Sequence, residues 1–198
     1  MVRLVTKAVR RVSRHRLGVA VLVVALGWLV GSLALSSAAR AADPTEPGLA
    51  VLYTYGEFRH VDAIVEREAG GKPSPGKPVL ALDNHGNSAK KVLTTNHAKL
   101  VGAILSGFIK FPEAGTYQFS MRTNDGTRVL IDGKTILEDP EPHADHDAGP
   151  AAVTVATAGW HPIKIYYYQL RGSWTLRVNW SGPGLAGDAP VGPEYLAH

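Results

Sequence analysis

The 198-residue sequence predicts an all-β protein, an antiparallel sandwich or barrel preceded by an N-terminal hydrophobic helix. Three observations carry the prediction. Between Gly107 and Pro183 the apolar runs alternate with period two: Tyr117, Phe119 and Met121 point one way, Gln118, Ser120 and Arg122 the other. Leu176, Val178 and Trp180 repeat the pattern against Thr175, Arg177 and Asn179. Dipeptides such as Asp125-Gly126 and Asp132-Gly133 cut the runs and supply the left-handed backbone of tight hairpins. Beyond residue 42, Gly and Pro make up 31 of 156 residues, which favours a turn-rich sheet over a helical bundle.

Residues 1–42 read as a leader, either a signal peptide or a signal anchor. Six cationic residues from Arg3 to Arg16 precede an apolar run from Leu17 to Leu35. Positive charge before such a run keeps the N-terminus in the cytoplasm and sends the remainder across the membrane. Ala39-Arg40-Ala41 fits small-x-small cleavage before Ala42. The run is 19 residues long, close to a membrane span, so both fates stay open. Arg10-Arg11 is followed by Val12, Ser13 and Arg14, an ordinary positive n-region. The exported part is then periplasmic or extracellular, secreted or anchored through residues 17–35.

Residues 43–47 form a polar linker, residues 48–187 the domain, and residues 188–198 a C-terminal tail. The first strand is expected over Leu49 to Tyr55. Phe58, Val61, Ile64 and Val65 fall at helical spacing and predict a brief helix. Gly70 to Pro78 is a surface loop and Val79 to Leu82 a short strand. From Asp83 to Thr95 no pattern emerges. The main strands are Val101–Phe111, Gly115–Thr123, Thr127–Ile131, Lys134–Leu137, Ala152–Ala156, Trp160–Tyr168 and Trp174–Trp180. Many short strands with turns between them argue for two packed layers. Tyr117, Phe119, Ile131, Ile163, Ile165, Leu176 and Val178 then face inward, since a one-residue slip would expose the whole set. Trp160 and Trp180 are also assigned to the core.

Composition excludes several functions. The chain has 21 Lys and Arg, but seven lie in the leader, leaving 14 against 17 acidic residues in the exported part. A nucleic-acid partner loses its electrostatic basis. No cysteine is present, which removes disulfides, thiolate catalysis and Cys-ligated zinc. The sequence holds no Gly-x-Ser-x-Gly, no His-Glu-x-x-His and no phosphate-cradling glycine loop. Carboxylate pairs such as Glu138 and Asp139 sit in loops with no apolar setting to raise a pKa. An enzyme is not expected.

Several pieces in fixed order resemble the PA14 domain, the family named after the anthrax protective antigen. They are Gly107-Phe108-Ile109, Pro112 to Phe119, Asn124-Asp125-Gly126, Ile131-Asp132-Gly133, Ala158 to Ile163 and Trp180-Ser181-Gly182-Pro183. The resemblance covers roughly Gly48 to Leu185 and implies a compact β-sandwich or barrel. In the carbohydrate-binding adhesin branch, an Asp-Asp pair joined by a cis peptide holds a Ca²⁺ that also ligates sugar hydroxyls. The resemblance therefore implies Asn124 and Asp125 as metal ligands, with Asn124 in place of the first Asp and one negative charge missing. Calcium suits a site of flexible oxygen donors. The alternative is an ordinary Asx-Gly turn needing no ion.

A second loop, Gln169 to Trp174, corresponds to the one that in adhesins gives an Asn to calcium and contacts the sugar. No Asn is present here. Gln169 is the nearest amide, Arg171 offers two hydrogen bonds to vicinal hydroxyls or a carboxylate, Ser173 adds a hydroxyl, and Trp174 offers an aromatic face. The two loops are expected at one end of the sandwich, with the Asp125 carboxylate turned to solvent. The ligand implied is carbohydrate or an envelope glycan, with any partner enzyme acting in trans. A structural or protein-interaction module of the envelope, needing neither sugar nor metal, is the alternative. Finally, His143-Ala144-Asp145-His146-Asp147 combines imidazole and carboxylate in a Pro-rich acidic stretch that reads first as a solvated surface loop with incidental metal affinity; as a dedicated site for zinc or nickel it would need further ligands such as His85 or His97.

Overall fold

The computed structural model describes residues 43–71 and 73–198. The expected leader, with the expected cleavage site and the Leu17–Leu35 run, lies outside the described residues. Among the described residues no helix is long and apolar enough to cross a membrane.

Twelve strands, one α-helix and a short 3-10 turn make up the described chain. In order they are β1 (Ala50–Tyr55), α1 (Asp62–Gly70), β2 (Ser74–Pro75), β3 (Asp83–Gly86), β4 (Val101–Phe111) and β5 (Gly115–Asn124). There follow β6 (Thr127–Ile131), β7 (Lys134–Asp139), β8 (His146–Val155), β9 (Gly159–Gln169) and β10 (Trp174–Ser181). The chain ends with β11 (Ala189–Pro190), the 3-10 turn Pro193–Tyr195 and β12 (Leu196–Ala197). One antiparallel sheet runs β2-β1-β4-β9-β6-β7, with β12 also on β4; the other runs β11-β10-β5-β8, with β3 also on β10.

The sandwich core is where the alternation put it. Tyr117, Phe119, Ile131, Ile163, Ile165, Leu176 and Val178 are all buried in one cluster fed by both sheets. Phe111, Tyr117, Phe119 and Trp180 form its aromatic centre, with Tyr117 stacked on Trp180 at 5.6 Å between centroids. Trp160 departs from the expectation and is only half-buried, with the Lys110 ammonium 5.7 Å from its ring. The phase of β9 explains this. Ile163, Ile165 and Tyr167 take the inward positions, which turns Trp160 outward.

At its far end β9 is buried on both faces, from Tyr166 to Gln169. The cause is α1, which with Phe58 and Val61 covers the outer face; Ile64 packs there with Ile104, Tyr166 and Tyr168. The expected helix is present, although Phe58 and Val61 precede it.

Three segments are more ordered than the sequence suggests. Asp83–Gly86 adds to β10, and Ser74–Pro75, inside the expected loop, pairs with β1. Val79, by contrast, is less regular than expected and makes one bridge to Leu49 instead of a strand. The residues read as a tail are built into the fold: β11 pairs with β10 and β12 with β4. The linker joins them, since Glu46 and His198 exchange backbone hydrogen bonds of 2.8 and 3.2 Å.

The Asp132-Gly133 hairpin forms as predicted, with φ of 50° and 74°. Asp125-Gly126 does not form one. Strands β5 and β6 belong to different sheets, so residues 124–126 are a crossover, and Gly126 is not left-handed. Glycine is required there for another reason: a Cβ would lie 2.4 Å from the Tyr168 ring and 2.5 Å from the Pro140 carbonyl. The β7–β8 and β9–β10 connections also pass from one sheet to the other.

Candidate functional site

The crossovers 124–126, 140–145 and 170–173 meet at one end of the sandwich, and hydrogen bonds between them build the site. The peptide bond between Asn124 and Asp125 is cis. The Asp125 carboxylate accepts the Leu170 N–H at 2.7 Å and the His143 N–H at 3.2 Å, so it ties the two other crossovers together. The Asn124 amide donates to Asp145 Oδ1 at 3.2 Å and to Ser173 Oγ at 3.3 Å. Behind them the buried Tyr167 hydroxyl donates to the Asn124 carbonyl at 2.7 Å.

The expected convergence of Asn124 and Asp125 with the 169–174 loop is therefore present, but the expected solvent-facing carboxylate is not. Asp125 is buried, holding backbone amides of its neighbours. Burial pushes its carboxyl above the usual range, an effect only partly offset by the N–H groups of Leu170 and His143. Tyr167 is pushed well above the ordinary phenol value, first by burial and then by the nearby charges of Asp125 and Asp145.

The remaining loop residues divide. Ser173 reaches Asn124, as above. Gln169 is fully buried, its Nε2 donating to the Ser173 carbonyl at 3.0 Å, so it braces the loop from within. Trp174 is 5 % exposed and belongs to the core, in phase with Leu176, Val178 and Trp180, with its indole edge against Gly86. An open stacking face is not available on it. Arg171 is exposed at 67 %, and its ion pair, 3.7 Å long, is with Glu57 rather than with any residue of the site.

Beside Asp145 and Ser173, the partners of the Asn124 amide, lies an open cleft of about 350 Å³, lined also by Arg122, Trp174, Arg177, His85 and Asn87 among others. Sequence reasoning missed most of these. Arg122 and Arg177 are directly opposite each other on β5 and β10, at outward positions the alternation already implied. Each is matched by carboxylates: Arg122 contacts Asp147 at 2.8 Å and Asp145 at 3.5 Å, while Arg177 contacts Asp83 at 2.6 Å. Asp145 also accepts the Thr175 hydroxyl at 3.0 Å. The cleft is thus rich in paired charges and hydroxyls, a surface suited to a polyhydroxyl ligand. His85 and His97 do not join His143 and His146. His85 stands beside Asp83 at 4.0 Å, and the His97 ring lies 4.2 Å from that of Tyr55.

The PA14 domain family model matches residues 74–191, well over half of the chain. No curated protein shows significant sequence similarity. Solved structures share the fold. The PA14 domain of the MpAFP antifreeze protein superposes with a TM-score of 0.64 at 18 % identity, covering 79 % of this chain and 94 % of that one. The PA14 sugar-binding domain from an RTX adhesin gives 0.63 at 20 % identity, covering 78 % and 99 %. The epithelial adhesin 6 A domain from Candida glabrata, in complex with Galb1-3GlcNAc, gives 0.61 at 11 % identity, covering 80 % and 89 %. With its strand order, its two packed sheets and a family match across most of the folded region, the chain belongs to the PA14 domain family.

Proposed function

We propose that this chain is a non-catalytic, exported module that binds carbohydrate in the cleft lined by Arg122, Asp145, Ser173 and Arg177, beside the junction of the 124–126, 140–145 and 170–173 crossovers. The observation that carries the reading is that Asn124 holds two residues of the cleft lining, Asp145 and Ser173, while Asp125 ties the two other crossovers together. A rigid floor with Arg122, Asp145, Ser173 and Arg177 at its surface presents donors and acceptors at fixed spacing, which is what recognition of sugar hydroxyls needs. The sugar-binding RTX adhesin domain and the glycan-bound epithelial adhesin domain, which share the fold, support this class of ligand.

Calcium fits the donor chemistry. The Asp125 and Asp145 carboxylates, the Asn124 side-chain oxygen and the Ser173 hydroxyl are all hard oxygen donors. In the present arrangement the Asn124 amide nitrogen faces Asp145 and donates a hydrogen bond to its carboxylate. Ligation by Asn124 requires the amide to turn its oxygen forward. When bound, the ion supplies positive charge to sugar hydroxyls, while the residues of the cleft orient the ring.

The second reading, a structural or protein-interaction module of the envelope, draws on the burial of Trp174 and Gln169 and on the internally satisfied Asn124 amide. A glycan array probed with the full-length chain in calcium and in EGTA separates the two. Retention of a glycan class supports the first reading, with loss in EGTA adding the ion. Folded protein that retains no glycan in either condition leaves the second.

A further inference from the structure

We propose that Asp139, His143 and His146 form a site for a borderline-soft divalent transition metal of the Zn²⁺ class, at the crossover from β7 to β8. The site is separate from the oxygen-donor set at Asn124 and Asp125. One ligand atom from each of the three residues lies within 4.8 Å of the other two. Asp139 Oδ2 is 3.1 Å from His143 Nε2 and 2.6 Å from His146 Nδ1. Two ligands about 2.0–2.1 Å from a tetrahedral zinc stand roughly 3.3 Å apart. Both edges reach that spacing by opening less than about 1 Å, and the exposed His146 is free to make the movement.

The chemistry of His143 supplies the independent argument. Its Nδ1 lies 2.7 Å from the Ala144 carbonyl, which can only accept, so Nδ1 carries the proton. In the neutral ring Nε2 is then a lone pair. That atom is buried, has no hydrogen-bond partner among the described residues, and faces a carboxylate oxygen. In that neutral form two acceptors are held face to face, a cost that a second proton on the ring or a shared metal cation removes. The carbonyl bond to Nδ1 is the support that usually fixes the tautomer of a ligating histidine.

Two imidazoles and one carboxylate favour zinc over calcium or magnesium, which take all-oxygen shells. Three protein ligands leave a fourth position for water or an external donor, and Glu141 lines the same hollow. The metal would join the last residue of β7 to the first residue of β8, closing the crossover that carries both Asp145 and the His143 N–H.

The test is titration of the full-length chain with Zn²⁺ in excess calcium, which blocks oxygen-donor sites, together with Co²⁺ absorption as a readout of coordination. The wild type should take up a single Zn²⁺ per chain, and Co²⁺ should develop the visible bands of a nitrogen- and oxygen-ligated tetrahedral ion. His146→Ala changes an exposed side chain and should fold normally, yet weaken binding by more than about tenfold. Asp139→Asn should do the same, whereas His85→Ala should titrate like the wild type. Absence of Zn²⁺ uptake, equal affinity in His146→Ala, or an equal loss in His85→Ala would overturn the proposal.

Discussion

Replacing Asn124 by Asp tests how the crossovers are held and what an ion would do there. The amide donates to Asp145 at 3.2 Å and to Ser173 at 3.3 Å. Asn124→Asp removes both donors, at about 1 kcal/mol each. It also sets two carboxylates face to face. Two unit charges 3.2 Å apart repel by about 5 kcal/mol at an effective dielectric of about 20. The Asp145 side chain is 39 % exposed, so solvent screening and a small outward movement reduce this to about 1–2 kcal/mol. The sum is a loss of about 3–4 kcal/mol in EGTA. For a domain of this size that is a fall in Tm of roughly 6–16 °C. Calcium should reverse most of it, because the substitution restores the missing charge; at a hundredfold excess over Kd the gain is about 2.7 kcal/mol. Thermal melts of wild type and variant in EGTA and in millimolar calcium give the answer. A variant with wild-type Tm in EGTA would refute the structural half of the reasoning, and one that calcium does not restore would refute the ion.

Two further expectations concern the layer outside the sandwich. Ile64 is fully buried between α1 and the outer face of the β4–β9 sheet, so Ile64→Ala should cost about 2–5 kcal/mol, read as a lower denaturation midpoint with unchanged steepness. Glu68 accepts Lys164 Nζ at 2.8 Å and the Tyr166 hydroxyl at 2.5 Å; burial pushes its carboxyl up, but these two partners outweigh burial and hold it below its ordinary 4.5. A depressed carboxylate contributes stability above its unfolded pKa and loses it as pH falls through the folded value. Glu68→Gln should therefore lower stability near neutrality by less than about 1 kcal/mol after screening, read as a lower Tm, and the difference from wild type should shrink below pH 4.5.

The sandwich was legible in the sequence because its inner faces carry large apolar residues at every second position. Tyr117, Phe119, Leu176 and Val178 could face only one way. What was not legible has little burial to signal it. Strand β8 is an edge strand with most of its residues exposed or half-exposed, so its first half, beginning at His146, reads as a polar loop. Asp83–Gly86 is held to β10 by backbone pairing with no apolar side chain to mark it. Trp174 and Gln169 sit in phase with buried neighbours on β10 and β9, a signal available in the alternation but outweighed by their place in a loop sequence. The site itself was half legible. Asn124, Asp125 and Ser173 converge as read, whereas Asp145, Arg122 and Arg177 enter through crossovers and cross-strand register that local sequence does not encode.

The most direct test of the central claim is the affinity of the full-length chain for whichever glycan the array retains best, compared between wild type and Asp145→Ala. Asp145 lines the cleft, accepts from Asn124 and Thr175, and lies opposite Arg122, so its loss alters the recognition surface without touching the sandwich core. Titration calorimetry should show at least about a tenfold weaker Kd, corresponding to about 1.4 kcal/mol or more. Equal affinity in the two proteins would place carbohydrate recognition elsewhere and contradict the account.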